Sequence, residues 1–501
     1  MIHILHNGKQ LLKVTHLGTE IKVRIVNNIV EQFIEIAKRF PDENLIWIKE
    51  DFAQQIDLDD LTANFKASHY MLSMGNIKNH FLYPAIGYVT DGPFVAVSQE
   101  NIYPSWLMQD TAGIVAASTI NQFNIGDYKN QSLEYFLSSV ARIGQPQGLF
   151  CYHIPALSNS QDKYDHHSSS LFRFVGAHYK KIWVFLLLFL LYRYEKTFTF
   201  TSFVQGLFST SLSTRLILKE QQKSTKSIAL DYDVVIPTMG RKEYLKDVLL
   251  DLSKQQTLAQ KVIIVEQNQD ETSNSELDFL KVENWPFEID HHFIHKTGAC
   301  NARNLAISKT TASWILLFDD DNRFESDLLE SMFHAIQLTG TKVLNVAYLQ
   351  KGEKELQKTF KQWEFFGSGC SIAHRDVIEK CKFDMALEHG YGEDVDYGMQ
   401  IRNSGYDVIY APQIQILHLK APVGGFRKPH SFPWKEDDVQ PKPSPQIMYF
   451  RKNNYTHQQL LGYKMIQLIK SFGELGTKNP YRHYKKYQAA WSQSEKWTDQ
   501  L

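Results

Sequence analysis

The sequence predicts an α/β fold for residues 230 to about 427, with a mostly parallel, Rossmann-like sheet flanked by helices. Three short, wholly apolar segments, at 234–236, 262–265 and 314–318, have the composition of strands that are buried on both faces. Apolar residues recur at helical spacing between 244 and 252, which predicts a helix between the first two strands. Alternation of strands and helices is typical of a sheet covered by helices on both sides.

Each of these apolar segments is followed directly by polar residues. Pro237, Thr238 and Arg241 follow the first, Glu266 follows the second, and the acidic run 319–321 follows the third. In a parallel sheet the carboxyl ends of the strands share one edge, and open α/β folds bind their ligands at that edge. The three polar strand ends therefore predict a single ligand site.

The run of Asp319, Asp320 and Asp321 is the most informative of these features. Adjacent carboxylates repel one another, and their burial is costly unless a positive charge lies among them. Mg²⁺ and Mn²⁺ prefer oxygen ligands and are commonly shared with diphosphate oxygens. The run therefore indicates an enzyme that handles a nucleotide diphosphate. A cluster of acids at the start of the following helix is the structural alternative.

Five runs of sequence extend this hypothesis. They read VVIPTxxR at 234–241, VEQN at 265–268, GACNARN at 298–304, DDD at 319–321 and GEDVDY at 392–397. In order and spacing they resemble the family-2 glycosyltransferases with a GT-A fold, over about two-fifths of the chain. The resemblance implies inverting transfer of a sugar from a nucleotide diphosphate sugar, most often a UDP-sugar, to a hydroxyl of a glycan or lipid-linked acceptor. It also implies a Mn²⁺ or Mg²⁺ cofactor.

The resemblance assigns roles to individual residues. Asp321 is the expected direct metal ligand, while Asp319 and Asp320 are expected to contact the metal's surroundings or the ribose, with Asp319 a second candidate ligand. His418 is a candidate third ligand, and a structural histidine is the equal alternative. The expected nucleotide-binding residues are Pro237, Thr238, Arg241, Glu266, Arg303, Asp319 and Asp320. The family more often has Asp where this chain has Glu266.

Asp394 is the expected general base, and Glu393 lies beside it. Direct displacement at an anomeric carbon needs a carboxylate close to the acceptor hydroxyl to accept its proton. The sequence predicts a helix that starts near these acids and ends at Gly405, so Asp394 falls in the first turn. An acid that merely stabilises the helix start is the structural alternative. The helix dipole lowers the pKa of such an acid, which opposes the demands of catalysis.

The length of 501 residues predicts two or three domains. We expect an N-terminal domain at 1–218, a polar linker at 219–229, the transferase-like domain at 230–427, and a Pro-rich segment with basic, aromatic helices at 428–501. The N-terminal domain has an α/β or α+β pattern without a comparable motif. We interpret it as a degenerate transferase-like domain or one that binds an acceptor or partner, with a simple scaffold as the alternative.

Composition bears on partners and location. Lys and Arg (54) balance Asp and Glu (55), which gives no signature of nucleic-acid binding. The apolar run 182–192 is too short to cross a bilayer, which needs about 20 residues. That run and the basic, aromatic tail 441–501 are candidate peripheral membrane contacts, with a buried helix and a solvated helix face as alternatives. Four cysteines without C-x-x-C spacing and the lack of an evident signal peptide favour a cytoplasmic protein, peripheral at the cytoplasmic membrane face if those contacts form.

Two other functions compete with sugar transfer. A sugar nucleotidylyltransferase would need a G-x-G-T-R-like loop after the first strand, where this chain has PTMGR at 237–241. A non-catalytic glycan- or nucleotide-binding protein would share the fold, but retention of the acidic run, Arg303 and Asp394 argues against it. Our favoured hypothesis is a bacterial glycosyltransferase of surface polysaccharide or glycolipid synthesis. The glycine-containing segment 421–427 is expected to close over the diphosphate, with Lys420 or Arg427 as the cation.

Overall fold

The computed structural model describes residues 1–22, 28–155, 169–218, 230–422 and 430–501. The chain divides into two compact units. Unit 1 contains Met1–Gln221 and Tyr455–Ser471, and unit 2 contains Gln222–Asn454 and Phe472–Leu501. The expected linker at 219–229 and most of the expected closing loop, including Arg427, lie outside the described residues.

Unit 1 is built on a sheet of eight strands within its described residues. The strands are β1 (Ile2–His6), β2 (Leu11–His16), β3 (Thr19–Glu20), β4 (Asn44–Lys49), β5 (Tyr70–Gly75), β6 (Tyr103–Pro104), β7 (Ala112–Ala116) and β8 (Phe150–Pro155). The helices of this unit are α1 (Ile29–Arg39), α2 (Leu58–Asn64), α3 (Ala117–Ile120), α4 (Leu133–Gly144), α5 (Ser169–His178), α6 (Ile182–Leu190), α7 (Phe200–Leu207) and, from the C-terminal part of the chain, α15 (His457–Lys470).

The sheet of unit 1 has the order β3-β2-β1-β4-β7-β5-β8-β6 and is mixed. Helix α1 begins at Asn28, whose side chain accepts hydrogen bonds from the N–H groups of Val30 and Glu31. Its apolar face packs on the sheet, where the ring of Phe33 meets Trp47 edge-on with centroids 6.0 Å apart. Burial of side chains of this size stabilises the unit by about 1.5–3 kcal/mol each.

Unit 2 contains the remaining elements. Its strands are β9 (Tyr232–Thr238), β10 (Lys261–Gln267), β11 (Glu288–Ile294), β12 (Trp314–Phe318), β13 (Asn322–Arg323), β14 (Val343–Leu349), β15 (Lys361–Gln362), β16 (Cys370–His374) and β17 (Ile409–His418). Its helices are α8 (Lys242–Ser253), α9 (Phe279–Val282), α10 (Ala299–Ile307), α11 (Leu328–Thr339), α12 (Arg375–Ile378), α13 (Glu393–Asn403), α14 (Pro445–Asn454) and α16 (Pro480–Thr498).

The predicted α/β fold is confirmed, although the sheet of unit 2 is less parallel than expected. The order is β11-β10-β9-β12-β16-β14-β17-β13, and the first four strands are parallel to their neighbours. Strand β16, in contrast, is antiparallel to both β12 and β14. The chain runs from β14 to β16 through 350–369 without a helix in that fully described stretch, and only parallel neighbours require a crossover.

The C-terminal helices, which the sequence suggested as one segment, are divided between the units, since α14 and α16 belong to unit 2 and α15 to unit 1. Several aromatic residues of this tail pack inside rather than outward: Phe450 and Trp491 are buried, and the indole N–H of Trp497 donates to Asp437. In the described part of the chain, no helix combines the length and the apolar character needed to span a bilayer.

Candidate active site

A cleft of about 760 Å³ lies at the carboxyl ends of the parallel strands of unit 2. Strand ends, the start of α10 and the end of β17 all contribute to its walls. The sequence-predicted residues that line it are Pro237, Thr238, Arg241, Arg303, Asp319, Asp320, Asp321, His418 and Lys420. Three other predicted residues, Glu266, Glu393 and Asp394, are not among the residues that line this cleft.

Asp320 is held by residues at the end of β9. The hydroxyl of Thr238 donates to its Oδ2 at 2.6 Å, and Nη1 of Arg241 donates to its Oδ1 at 2.7 Å. Burial raises the pKa of Asp320 to about 6, against the opposing effect of the Arg241 charge. Both carboxylate oxygens of Asp320 therefore have partners, and Asp320 holds Arg241 in place at the cleft.

Asp319 connects the strand end to Arg303. Nη2 of Arg303 donates to its Oδ1 at 3.1 Å, and the hydroxyl of Tyr348 donates to its Oδ2 at 3.2 Å. Gly369 lies directly against this carboxylate: a Cβ atom added there would fall 2.5 Å from the Cγ of Asp319. Arg303 itself is 6% exposed, and its guanidinium lies 5.5 Å from the ring centre of Phe383. Close packing therefore fixes the orientation of Asp319.

Asp321 and His418 lie side by side because β13 and β17 are paired, with Asn322 opposite His418. Nε2 of His418 is 3.5 Å from Oδ1 of Asp321, and the N–H of Ala421 donates to Oδ2 at 2.9 Å. Burial works against ionisation of Asp321, but the hydrogen bonds from His418 and Ala421 lower its pKa overall. The carboxylate is thus ionised at neutral pH, as a metal ligand must be.

The pair of Asp321 and His418 fits a divalent cation better than the three-ligand set expected from the sequence. Asp319 is directed to Arg303 and Tyr348, and the described residues contain no group of three His, Cys, Asp or Glu side chains arranged to hold a metal ion. Mg²⁺ and related ions are often held by one or two protein ligands together with substrate phosphate oxygens. The donor set is therefore compatible with a cation that arrives with a diphosphate.

The buried guanidinium of Arg303 lies near Asp394. Its Nε and Nη1 atoms make no hydrogen bond to any described residue. The charges of Arg303 and Asp394 influence one another, and hydrogen bonds from Ser368 lower the pKa of Asp394. Buried polar atoms in native proteins normally have partners, so these two nitrogen atoms are typical of a site that a ligand or water completes.

Asp394 and Glu393 occupy the first turn of α13, as the sequence predicted, with Gly392 before them in a left-handed conformation (φ 119°). Burial and then the neighbouring charge of Asp394 raise the pKa of Glu393 to about 7. Burial also raises the pKa of Asp394, while the charge of Arg303 opposes the rise. The net shift of both pKa values is upward, although the helix dipole alone would lower them.

Glu266 is directed away from the cleft. Its carboxylate accepts hydrogen bonds from the Ser275 hydroxyl (2.5 Å), the Glu276 N–H (2.9 Å) and Nε2 of His291 (2.9 Å). Its neighbour Gln267 does line the cleft, and the Gln267 Oε1 accepts the N–H of Gly298 at 2.6 Å. The nucleotide-binding role predicted for Glu266 remains a prediction, and Gln267 is the residue of this strand that contacts the site.

Sequence reasoning missed Glu388, which closes the N-terminus of α10. Its two carboxylate oxygens accept the N–H groups of Cys300 (3.1 Å) and Asn301 (2.8 Å). A carboxylate at this position satisfies free N–H groups and complements the helix dipole. Since α10 carries Arg303, this contact helps to fix the guanidinium that meets Asp319. Only proximity in the fold reveals it, because 87 residues separate Asn301 from Glu388.

A stack of aromatic rings, also missed, lines the same cleft. The rings of His389 and His430 stack at 4.2 Å between centroids, and Phe432 stacks on Trp434 at 4.4 Å. His430 and Phe432 are in turn edge-on at 4.7 Å. Burial, followed by the neighbouring His389, lowers the pKa of His430, which favours its neutral form. Flat faces of this kind suit a sugar ring or a base.

Comparison with known proteins agrees with this architecture. Residues 233–388 match the family model described as "Glycosyl transferase family 2". This part of the chain is accordingly a family-2 glycosyltransferase domain of the GT-A type. No curated protein sequence matches the chain.

The solved structures that the chain matches are distant in sequence and have low TM-scores. One is S. aureus TarS 1-349 in complex with UDP, with 15% identity and a TM-score of 0.33, covering 38% of this chain and 61% of that chain. The same TarS fragment in complex with UDP-GlcNAc has 12% identity and a TM-score of 0.40, covering 53% of this chain and 81% of that chain. GalNAc-T7 with UDP, GalNAc and Mn²⁺ has 12% identity and a TM-score of 0.32, covering 38% and 44%.

Proposed function

We propose that this protein is an inverting glycosyltransferase that moves a sugar from a nucleotide diphosphate sugar, in the first instance a UDP-sugar, to a hydroxyl of a glycan or lipid-linked acceptor. The observation that carries the proposal is the placement of Asp321 with His418, the cations Arg241 and Lys420, and Arg303 around one cleft at the carboxyl ends of the strands. That edge of an α/β sheet is where ligands bind.

The donor diphosphate is expected between the acidic pair and the cations. Asp321 and His418 would hold Mn²⁺ or Mg²⁺, which supplies positive charge for the developing negative charge on the leaving diphosphate. Arg241, fixed by Asp320, and Lys420 add protein charges on the same cleft. Burial strengthens such charge interactions relative to water.

The acceptor hydroxyl is expected beside Asp394. Its oxygen attacks the anomeric carbon as the bond from that carbon to the diphosphate oxygen breaks, and the hydroxyl proton passes to Asp394. The nucleoside diphosphate leaves, and the configuration inverts because a single displacement occurs. Burial raises the pKa of Asp394, against the charge of Arg303 and hydrogen bonds from Ser368, and this makes Asp394 a stronger base than an exposed aspartate.

A non-catalytic nucleotide- or glycan-binding protein is the second candidate. Asp319 and Asp320 are both engaged in internal hydrogen bonds, as they would be in a domain that had kept its fold without its chemistry. The two candidates differ in one respect, since a binder has no need of a base with a raised pKa.

The test is titration calorimetry of UDP, GDP, ADP and dTDP with Mn²⁺ or with EDTA. We expect Mn²⁺-dependent binding of one of them, most simply UDP, weakened at least tenfold by Asp321→Asn. Glu325→Gln, which alters an acid outside the cleft after the same strand, is the matched control and should bind as the wild type does. Equal binding with Mn²⁺ and EDTA would favour the non-catalytic alternative.

We further propose that the acceptor is met at the cytoplasmic face of a bacterial membrane, in surface polysaccharide or glycolipid synthesis. The support lies on α6 of unit 1 and the helical turn Leu191–Glu195 that follows it, where Ile182, Phe185, Phe189 and Tyr192 recur at helical spacing and are 66%, 51%, 47% and 58% exposed. Contiguous exposed apolar surface of this kind marks an interaction site.

Neighbouring aromatic residues enlarge this surface. The ring of Tyr192 meets Phe198 edge-on at 6.2 Å, Phe198 stacks on Phe200 at 6.4 Å, and Phe185 is edge-on to Phe203 at 5.1 Å. Both Phe198 (61%) and Phe200 (59%) are exposed. We call the six exposed residues the aromatic face: Ile182, Phe185, Phe189, Tyr192, Phe198 and Phe200.

Basic residues around the aromatic face favour an anionic partner. Lys180, Arg193 and Lys196 border it and are exposed, while the ammonium of Lys181 donates inward to backbone carbonyls such as that of Gly176 (2.8 Å). Each basic residue near an anionic bilayer contributes about 1 kcal/mol. An apolar aromatic surface with a basic border fits an anionic lipid interface.

Vesicle co-sedimentation tests this surface. We expect binding to vesicles with phosphatidylglycerol, weaker binding to pure phosphatidylcholine, and at least a tenfold loss for the double variant Phe185→Ser/Phe189→Ser. Leu356→Ser, which changes an equally apolar and 84% exposed residue of unit 2, is the control. Undiminished sedimentation of the double variant would contradict the membrane contact.

A further inference from the structure

The sheet of unit 1 repeats half of the sheet of unit 2. The row β1-β4-β7-β5-β8 matches the row β9-β12-β16-β14-β17 in its order across the sheet and in its order along the chain. Successive pairs in both rows are parallel, antiparallel, antiparallel and parallel. The edge strands β6 and β13 pair alike but come at different points of the chain.

Local detail extends the match. Strands β7 and β16 each have five residues and run directly into a four-residue helix, α3 or α12. A longer helix, α4 or α13, then leads into the last strand of the row, β8 or β17. The two units therefore share the order and direction of five strands and the helices that connect the last of them, which is a common architecture.

The other half of the sheet is different in the two units. In unit 2, β9 continues through the parallel strands β10 and β11, which with α10 form the wall that carries Gln267 and Arg303. In unit 1, β1 pairs instead with an antiparallel hairpin of β2 and β3. The described residues of unit 1 therefore contain no equivalent of β10, β11 and α10, which form the nucleotide side of the cleft in unit 2.

Strand register identifies equivalent positions. The last pair between β4 and β7 is Ile48 with Ala112, and the last pair between β12 and β16 is Phe318 with Cys370. In both cases the partner is the first residue of its strand. The acidic run of unit 2 follows Phe318 immediately, so its equivalent in unit 1 is the run of Lys49, Glu50 and Asp51.

Two further positions correspond. Asp110 precedes β7 by two residues, as Ser368 precedes β16, and Glu134 is the second residue of α4, as Asp394 is of α13. Nζ of Lys49 lies 3.9 Å from Oδ1 of Asp110. Glu134 is 4% exposed, and burial followed by the Asp110 charge raises its pKa, while the Lys49 charge opposes the rise.

We propose that unit 1 is a non-catalytic, transferase-type sheet in which the ammonium of Lys49 stands at the position of Asp319, the first residue of the acidic run, and pairs with Asp110. An ammonium at this position repels a divalent cation, and the described residues of unit 1 contain no strands equivalent to the nucleotide wall. Donor chemistry is therefore confined to unit 2. This inference goes beyond the proposed function and rests on it only for its second test.

The first test is thermal unfolding of the full chain. Lys49→Met should lower the midpoint of the unit 1 transition by roughly 5–10 °C, because the buried Asp110 loses its cation. Lys13→Met, which removes an exposed lysine of β2, is the control. The double variant Lys49→Met/Asp110→Asn should regain part of the loss. A Lys49→Met midpoint equal to the control, or no recovery in the double variant, would overturn the inference.

The second test is the stoichiometry of UDP binding with Mn²⁺ by equilibrium dialysis. We expect one UDP per wild-type chain, one per Lys49→Met chain and none per Asp321→Ala chain. A UDP that remains bound to Asp321→Ala would overturn the assignment of unit 1 as non-catalytic. If the wild type bound no UDP, the proposed function would fail while the unfolding test of Lys49 still decided this inference.

Discussion

Gly369→Ala should lower the rate of UDP release by displacing the carboxylate of Asp319. The new Cβ would lie 2.5 Å from the Cγ of Asp319, whereas carbon atoms in contact are about 3.5–4.0 Å apart. The carboxylate must therefore move by about 1 Å and weaken its hydrogen bonds from Arg303 (3.1 Å) and Tyr348 (3.2 Å). A misplacement of this size costs about 10²-fold in rate, or roughly 2.7 kcal/mol.

The assay is Mn²⁺-dependent release of UDP from the donor that the wild type hydrolyses, with circular dichroism to confirm folding. Gly126→Ala is the matched control, because that glycine, like Gly369, has no positive φ, and the nearest atom to an added Cβ would lie at an ordinary contact distance of 3.5 Å. We expect the control to retain its rate. A folded Gly369→Ala protein within threefold of the wild-type rate would refute the claim that Asp319 is held in a required orientation.

Three further predictions concern the same cleft. Asp394→Asn should lower transfer by about 10²–10⁴-fold with little change in UDP affinity, and an unchanged rate would contradict the base assignment. It should also shift the rise of the pH–rate profile, which in the wild type lies near 7 as Glu393 loses its proton, to lower pH, because the Asp394 charge that raises the pKa of Glu393 is removed. His418→Ala should raise the Mn²⁺ concentration needed for half-maximal rate at least tenfold, measured by metal titration, and an unchanged requirement would make His418 structural. Glu388→Ala should lower the free energy of unfolding by about 1–2 kcal/mol in urea, because two N–H groups of α10 lose their acceptor, whereas a change below 0.3 kcal/mol would mean that water replaces it.

The sequence predicted those strands of unit 2 whose apolar segments fit only a buried strand. The segments at 234–236, 262–265 and 314–318 are the cores of β9, β10 and β12, because short, wholly apolar runs bounded by polar residues favour buried parallel strands. The antiparallel course of β16 was not predictable in this way. Its direction depends on how 350–369 returns to the sheet, and apolar composition carries no information on strand direction.

The candidate site was predictable as a set of residues but not as a set of contacts. The resemblance made His418 a candidate ligand beside the acidic run, with a structural histidine as the equal alternative, and the structure brings Asp321 and His418 together. The sequence could not show that Thr238 and Arg241 donate hydrogen bonds to both carboxylate oxygens of Asp320, because they lie 82 and 79 residues away from it in the chain. For the same reason it missed Glu388. Side-chain orientation at a sheet edge is decided by tertiary packing, which no local pattern records.

For the N-terminal unit, the sequence contained few clues to the type of domain, whereas the strand topology of the structure contains more. No motif in residues 1–218 matches those of unit 2, because the residues that correspond to the acidic run begin with Lys49 rather than Asp. The shared feature is the order and direction of five strands, which many sequences can satisfy. The interpretation of this unit as a degenerate transferase-like domain therefore depends on strand pairing.

The central claim is that one cleft of unit 2 uses a nucleotide sugar and a divalent cation. It is tested most directly by following hydrolysis of a panel of nucleotide sugars by the full chain with Mn²⁺ or EDTA, for the wild type and Asp321→Ala. The account predicts Mn²⁺-dependent release of UDP from one donor by the wild type and its loss in Asp321→Ala. Absence of release from every donor, together with no Mn²⁺-dependent binding of any nucleotide, would contradict it.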